Sequence, residues 1–253
     1  TSFFKTSKPI HYIIFSIVLV SLFFYQRIFV SSFEGNLLNY LKEVACLFVV
    51  IASFFTLIFI VTKNHLTQNN SFAALFFCLF MGVFPQILDY TSTLIANLFM
   101  LLSLRRIVSL KNKINIKKKI LDATLWICLA TLFDSFSFFF FVPLAISLAL
   151  YSVFEIKNIL IPFFGVFAFA ALWTSFSLVV HDQLPNINEY LPSLSFEVHD
   201  FIFHKNTVFS LFTATLLIIG IMNYFFSGFF QNRFNRSSIV LLIFIIAAGF
   251  TAF

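Results

Sequence analysis

The sequence predicts an all-α protein that crosses a membrane many times as a helical bundle. Of its 253 residues, 60% are hydrophobic and 10% are charged, and the mean hydropathy is +1.00. A soluble domain usually carries about a quarter charged residues. The apolar residues, which include 42 Phe, form long runs without the alternating pattern of a β-barrel. Because lipid cannot satisfy free backbone polar groups, each run is expected to be a helix. This composition excludes a secreted enzyme, a soluble nucleotide-binding domain and a disordered chain.

Short polar stretches divide the chain into about nine apolar runs, and each run is predicted to form one span. The runs cover residues 10–25, 44–61, 72–88, 91–104, 120–133, 135–154, 159–180, 207–226 and 239–253. The first run follows Lys5 and Lys8, but no small-x-small cleavage site comes after it, so it is predicted to be an uncleaved span. Residues 1–253 are expected to form a single transmembrane domain. Because residue 253 lies inside the last run, we expect the protein to continue beyond it.

The basic residues predict which way the bundle faces. With the N-terminus in the cytoplasm, every Lys and Arg except Arg27, Lys42 and Lys205 falls on the cytoplasmic side, as the positive-inside rule expects. The positive-inside pattern accounts for the excess of basic residues behind the net charge of +6. We therefore expect no nucleic-acid partner. The basic stretch 105–119 either anchors the topology beside anionic membrane lipids or forms a docking site for a cytosolic partner. Abundant Phe, Ile, Lys and Asn are typical of AT-rich bacterial codons, so the bacterial inner membrane is the expected location.

Two longer polar segments, 31–43 and 181–206, are predicted to lie on the outer side. The first carries Leu residues at helical spacing and could lie in the membrane interface before the second span. The second contains Phe201 and Phe203, which are predicted to lie at the interface or against another membrane subunit. Its His and Asp residues lack a recognised zinc-binding spacing, and the three Cys lie inside apolar runs. We therefore expect no metal, no cofactor and no disulfide.

Asp89 and Asp134 are the candidate catalytic residues that the span pattern singles out. At ~1.5 Å per residue, the helices leading away from the basic stretch place both carboxylates roughly 22–24 Å above it. A hydrocarbon core of ~30 Å would leave them below the outer surface. Such carboxylates are candidates for a general base or a metal ligand. Each also stands at the start of a helix, where an Asp side chain caps free backbone amides. Both interpretations remain open from the sequence.

The sequence also resembles two families of membrane proteins. Three segments are similar to the central helices of the glycosyltransferase C superfamily: residues 84–106, residues 122–133 after the basic stretch, and the Phe-rich helix ending at Tyr151. That resemblance implies a polyprenyl-phosphate sugar donor and a catalytic acid in the first outer loop, where this chain has Glu34. The opening, residues 2–10, resembles an uncharacterised Bacteroidota family of multi-pass inner-membrane proteins.

Two functional hypotheses follow from these resemblances. Glu34 has no acidic neighbour in its loop, and the large outer domain of many superfamily members is absent. We therefore expect a non-catalytic accessory or assembly subunit of an envelope membrane complex, with other integral membrane subunits as partners. The alternative is a glycosyltransferase that binds a polyprenyl-phosphate lipid and uses Glu34, Asp89 or Asp134 as its acid or base.

Overall fold

The computed structural model describes residues 9–30, 37–66, 70–151 and 155–185, and a few isolated positions after residue 214. These residues form helices and turns without a strand, which confirms the all-α prediction for this part of the chain. The α-helices are α1 (Pro9–Tyr25), α2 (Leu37–Lys63), α3 (Phe72–Val83), α4 (Thr91–Ser109), α5 (Ile116–Phe133), α6 (Phe141–Leu150) and α7 (Ile156–His181).

Single turns of other helical types extend several of these helices. A π-helical turn, Gln26–Val30, follows α1, and a 3-10 turn, Pro85–Asp89, lies between α3 and α4. Another 3-10 turn, Ser135–Phe140, precedes α6. Pro85 interrupts the predicted 72–88 run because proline lacks the amide hydrogen that an α-helix needs at that point.

Among the described residues, four helical segments are long and apolar enough to cross a membrane: Pro9–Phe29, Asn39–Lys63, Thr91–Asn112 and Ile156–Val180. The segments Phe72–Val83 and Ser135–Leu150 are also apolar but shorter. The predicted run 239–253 lies outside the described residues, and only isolated positions of the run 207–226 are described. Residues 37–43, predicted as part of an interfacial segment, form the first turns of α2 without a break.

The α4–α5 hairpin lies at the centre of the bundle. Of the residues in the apolar stretch of α4 that could cross a membrane, 50% are buried inside the bundle, whereas the corresponding share in α7 is 11%. One apolar core lies around α4 and α5 and includes the fully buried Ile107, Ile127 and Phe140. A second core joins α1, α2 and α3 through residues such as Leu19 and Phe54.

Consecutive helices run in opposite directions and gather their polar residues at two ends. The acidic end comprises residues 26–30, 37–43, 84–90 and 134–136, with three carboxylates described there. The basic end comprises residues 63–66 and 105–119. The tight turn between α4 and α5 lies at the basic end, and Lys113 and Asn115 adopt left-handed backbone conformations in it, which Asn tolerates well.

Candidate functional site

An ion-pair network at the acidic end joins α1, α2 and the turn before α4. Arg27 donates from Nη1 to Asp89 Oδ1 at 3.1 Å and from Nη2 to the carbonyl oxygen of Leu88 at 3.0 Å. Its Nε lies 2.7 Å from Glu43 Oε2. Gln26 Nε2 donates to the other oxygen of Asp89 at 2.7 Å. One guanidinium and one amide therefore connect three separate segments of the chain.

Local backbone geometry presents these groups to one another. Gln26 and Arg27 begin the π-helical turn that ends α1, and π turns of this kind are frequent at functional sites. Pro85 ends α3 and begins the 3-10 turn whose last two residues are Leu88 and Asp89. The network therefore depends on two departures from α-helical winding that face each other across the end of the bundle.

The network is largely shielded from solvent. Gln26 is fully buried, and the side chains of Arg27, Glu43 and Asp89 are 15%, 24% and 33% exposed. The guanidinium carbon of Arg27 also lies 5.5 Å from the centre of the Phe23 ring. Removing a charge from water is costly unless an opposite charge accompanies it. The two carboxylates supply that charge, so the arrangement is suited to holding three helix ends together.

Asp89 does not cap α4. The N-cap residue of that helix is Tyr90, which makes no side-chain capping bond, and the carboxylate of Asp89 accepts from Gln26 and Arg27 instead. The capping interpretation is thus wrong for this residue. The physical reason is that a nearby guanidinium offers a charged donor, which makes a stronger hydrogen bond than a neutral backbone amide.

Asp134 is a cap, as one of the two interpretations predicted. Its backbone is extended, and its side chain accepts the amide hydrogen of Phe136 at 3.2 Å, at the start of the 3-10 turn. The structure records no hydrogen bond or ion pair between Asp134 and Asp89 within the described ranges. The two carboxylates belong to the same end of the bundle but have different partners.

The remaining predicted site residues, Glu34, Phe201 and Phe203, lie outside the described residues. Where the structure describes the chain, no group of three or more His, Cys, Asp or Glu side chains is close enough to hold a metal ion. The three cysteines are free thiols buried in the bundle.

Sequence reasoning overlooked Gln26, Arg27 and Glu43. Arg27 is an exception to the charge asymmetry, and Glu43 lies in a predicted outer segment, where a carboxylate is ordinary. The available signal was the combination of the two: a basic residue at the end of a span, on the side that otherwise has few, is expected to need an acidic partner there. Asp89 and Glu43 were both on that side.

Comparison with known protein families, with curated proteins and with solved structures finds no match to this chain.

Proposed function

We propose that this chain is a polytopic protein of the bacterial inner membrane that serves as a non-catalytic accessory or assembly subunit of an envelope complex. The observation that carries the proposal is that two of the three predicted acids, Asp89 and Asp134, have partners within the chain. Asp89 is bound by Gln26 and Arg27, and Asp134 caps a 3-10 turn. Both carboxylates therefore have structural partners.

A catalytic base has to lie within hydrogen-bonding reach of the proton that it removes from the substrate. Both oxygens of Asp89 instead face donors of its own chain, at 2.7 and 3.1 Å. A carboxylate in this position contributes to the fold by accepting from Arg27 and Gln26, and its exchange for a substrate contact would leave both of these shielded donors without their acceptor.

The apolar perimeter of the bundle supports a role among other membrane proteins. Large hydrophobic side chains are exposed on α1 and α7, including Ile17, Phe163, Phe167 and Leu172. In a bilayer such side chains contact lipid or the helices of other subunits. Membrane lipids and other integral membrane subunits are accordingly the proposed partners, and Phe201 and Phe203 stay the predicted contact residues of the outer segment.

The proposal includes nine spans and a cytoplasmic N-terminus. Its support is the charge asymmetry of the sequence together with the gathering of Lys63, Arg105, Arg106 and Lys119 at one end of the bundle. A single cysteine introduced at position 115, in the basic turn, should be protected from an impermeant thiol reagent in spheroplasts, and one at position 188 should react. Strong labelling at position 115 would overturn this orientation.

A glycosyltransferase that uses a polyprenyl-phosphate sugar is the alternative proposal. Its support is the collection of Glu43, Asp89 and Asp134 at one end of the bundle, with the side chain of Asp89 33% exposed. In that case Glu34, Asp89 or Asp134 would act as the acid or base.

Gentle detergent extraction followed by native mass measurement separates the two proposals. An accessory subunit should be recovered in a stoichiometric assembly with other membrane proteins. Replacing Phe201 and Phe203 with Ser should reduce that recovery while membrane insertion is unchanged. A monomer that retains a polyprenyl phosphate would support the enzyme and contradict the accessory role.

A further inference from the structure

A cluster of four cations forms at the basic end from residues of three helices. Lys63 ends α2, Arg105 and Arg106 lie in the last turns of α4, and Lys119 lies in the first turn of α5. Burial lowers the pKa of Lys119 from its ordinary value, and the positive charges of Arg106 and Lys63 lower it further. Lys63 and Arg105 contact the same ring, that of Phe59, and Lys119 donates to the end of α4 at Ser109, so these distant parts of the sequence meet at one end of the bundle.

The cluster has more positive charge than its described neighbours neutralise. Arg106 forms an ion pair with Asp122 at 3.0 Å, and Lys119 donates to the carbonyl oxygen of Ser109. Within the described ranges, no carboxylate forms an ion pair with Lys63 or Arg105. An anion of external origin would therefore meet two available cations at this position.

Both of those cations contact the ring of Phe59. The ammonium nitrogen of Lys63 lies 5.0 Å from the centre of the Phe59 ring, and the guanidinium carbon of Arg105 lies 4.6 Å from it. Phe59 is 38% exposed, so the ring forms part of the surface on which the cations rest. Contacts with an aromatic ring favour positive charge at such distances.

The same face of α2 continues as an apolar surface away from the cations. Phe55, Phe59 and Lys63 follow one another at intervals of four residues, which places them along one side of a helix. Phe55 is exposed as well. From the middle of α2 to its end, this face therefore carries two apolar side chains and then a cation. A phospholipid matches that order if its acyl chains lie beside the Phe residues and its phosphate lies beside Lys63. A free phosphate ion has no apolar part that could pack against Phe55 and Phe59.

We propose that Phe55, Phe59, Lys63 and Arg105 form a binding site for an anionic phospholipid. The guanidinium of Arg105 donates to the phosphate oxygens in a planar fork, and the ammonium of Lys63 acts as a point charge beside them. The acyl chains lie against Phe55 and Phe59. This site requires the chain to lie in a membrane but is independent of whether the protein is an accessory subunit or an enzyme.

Native mass spectrometry of the full chain in detergent, titrated with phosphatidylglycerol or with phosphatidylcholine, tests the site. Wild-type protein should retain one phosphatidylglycerol in preference to phosphatidylcholine. Replacing Lys63 and Arg105 with Gln should weaken phosphatidylglycerol binding by about 30-fold, since each cation contributes roughly a fivefold factor near an anionic headgroup.

The matched control is the double replacement of Lys117 and Lys118 with Gln. It removes the same charge from two exposed side chains of the same basic stretch, and binding should change by less than about threefold because salt screens separated surface charges. Equal weakening in both double variants would overturn the proposal in favour of diffuse attraction. So would a wild-type protein that binds both lipids alike.

A charge-conserving variant distinguishes loss of lipid binding from loss of folding. Arg105→Lys keeps the charge and removes the fork, so it should bind phosphatidylglycerol more tightly than the double Gln variant and more weakly than the wild type. Elution as a single peak with unchanged helical circular dichroism qualifies each variant for comparison. Wild-type affinity in a folded double Gln variant would contradict the site directly.

Discussion

Replacing Gly165 with Ala tests how α7 is held against the centre of the bundle. Gly165 faces α5 closely enough that an added methyl carbon would lie 2.9 Å from Thr124 Cγ2 and 3.3 Å from Leu121 Cδ1. Carbon atoms in good contact are about 3.5–4.0 Å apart. The methyl of Thr124 has little freedom to move, because the residue is fully buried and its hydroxyl donates to the Ile120 carbonyl oxygen at 2.9 Å.

The expected cost is the difference between two opposing effects. Overpacking of this kind destabilises a folded protein by about 1–3 kcal/mol, and the greater helix propensity of Ala offsets roughly 1 kcal/mol of that. Gly82 in α3 provides the matched control, since its added carbon would lie at an ordinary 3.7 Å from Leu22 Cδ1. Gly82→Ala should therefore be neutral or stabilising by up to about 1 kcal/mol.

Reversible unfolding in mixed micelles, followed by tryptophan fluorescence, measures the two free energies. Gly165→Ala should lie about 1–3 kcal/mol below Gly82→Ala. Adding Thr124→Ser removes the opposing methyl group and should recover most of that loss. If the two Ala variants unfold alike, or if Thr124→Ser restores nothing, α7 does not pack on α5 through Gly165 and the reasoning is refuted.

Two further predictions concern single groups at opposite ends of the bundle. Asp134→Asn keeps an oxygen that can accept the amide hydrogen of Phe136, so it should cost under about 1 kcal/mol of unfolding free energy and less than Asp134→Ala, which should cost about 0.5–2 kcal/mol. An Asn variant no more stable than the Ala variant would contradict capping. Lys119 should become reactive toward an acylating reagent at lower pH than Lys117 and Lys118, because its lowered pKa leaves more neutral amine at a given pH. Coincident reactivity profiles for the three lysines, measured by mass spectrometry, would contradict that shift.

The helices were predictable from the sequence because lipid leaves the backbone few alternatives. The apolar runs marked the described helices to within several residues, although the run 72–88 was predicted as one span and the helix ends at Val83, before Pro85. The winding of individual turns was not predictable. The run 135–154 begins as the 3-10 turn Ser135–Phe140 and becomes an α-helix only at Phe141, a change that hydropathy does not register.

The two Asp residues of the candidate site could be predicted from the sequence, but their partners could not. An acidic residue inside an apolar run stands out because exposing it to lipid is costly, and this identified Asp89 and Asp134. Its partner cannot be identified in the same way. Arg27 lies 62 residues from Asp89 along the chain, and the approach of their side chains depends on how α1 packs against α3 and on the π turn that ends α1.

The central claim is that Asp89 acts as the structural counter-charge of Arg27 and has no part in chemistry. The triple variant Arg27→Gln, Glu43→Gln, Asp89→Asn removes all three charges of the network, so that no shielded charge is left without a partner. It retains amide donors and acceptors at the three positions. In a strain carrying only this variant, the account predicts normal membrane levels, normal recovery of the assembly and normal growth. A variant that accumulates and unfolds like the wild type, yet leaves growth or envelope function impaired as by a loss of roughly 100-fold or more in rate, would contradict the account and make Asp89 a catalytic residue.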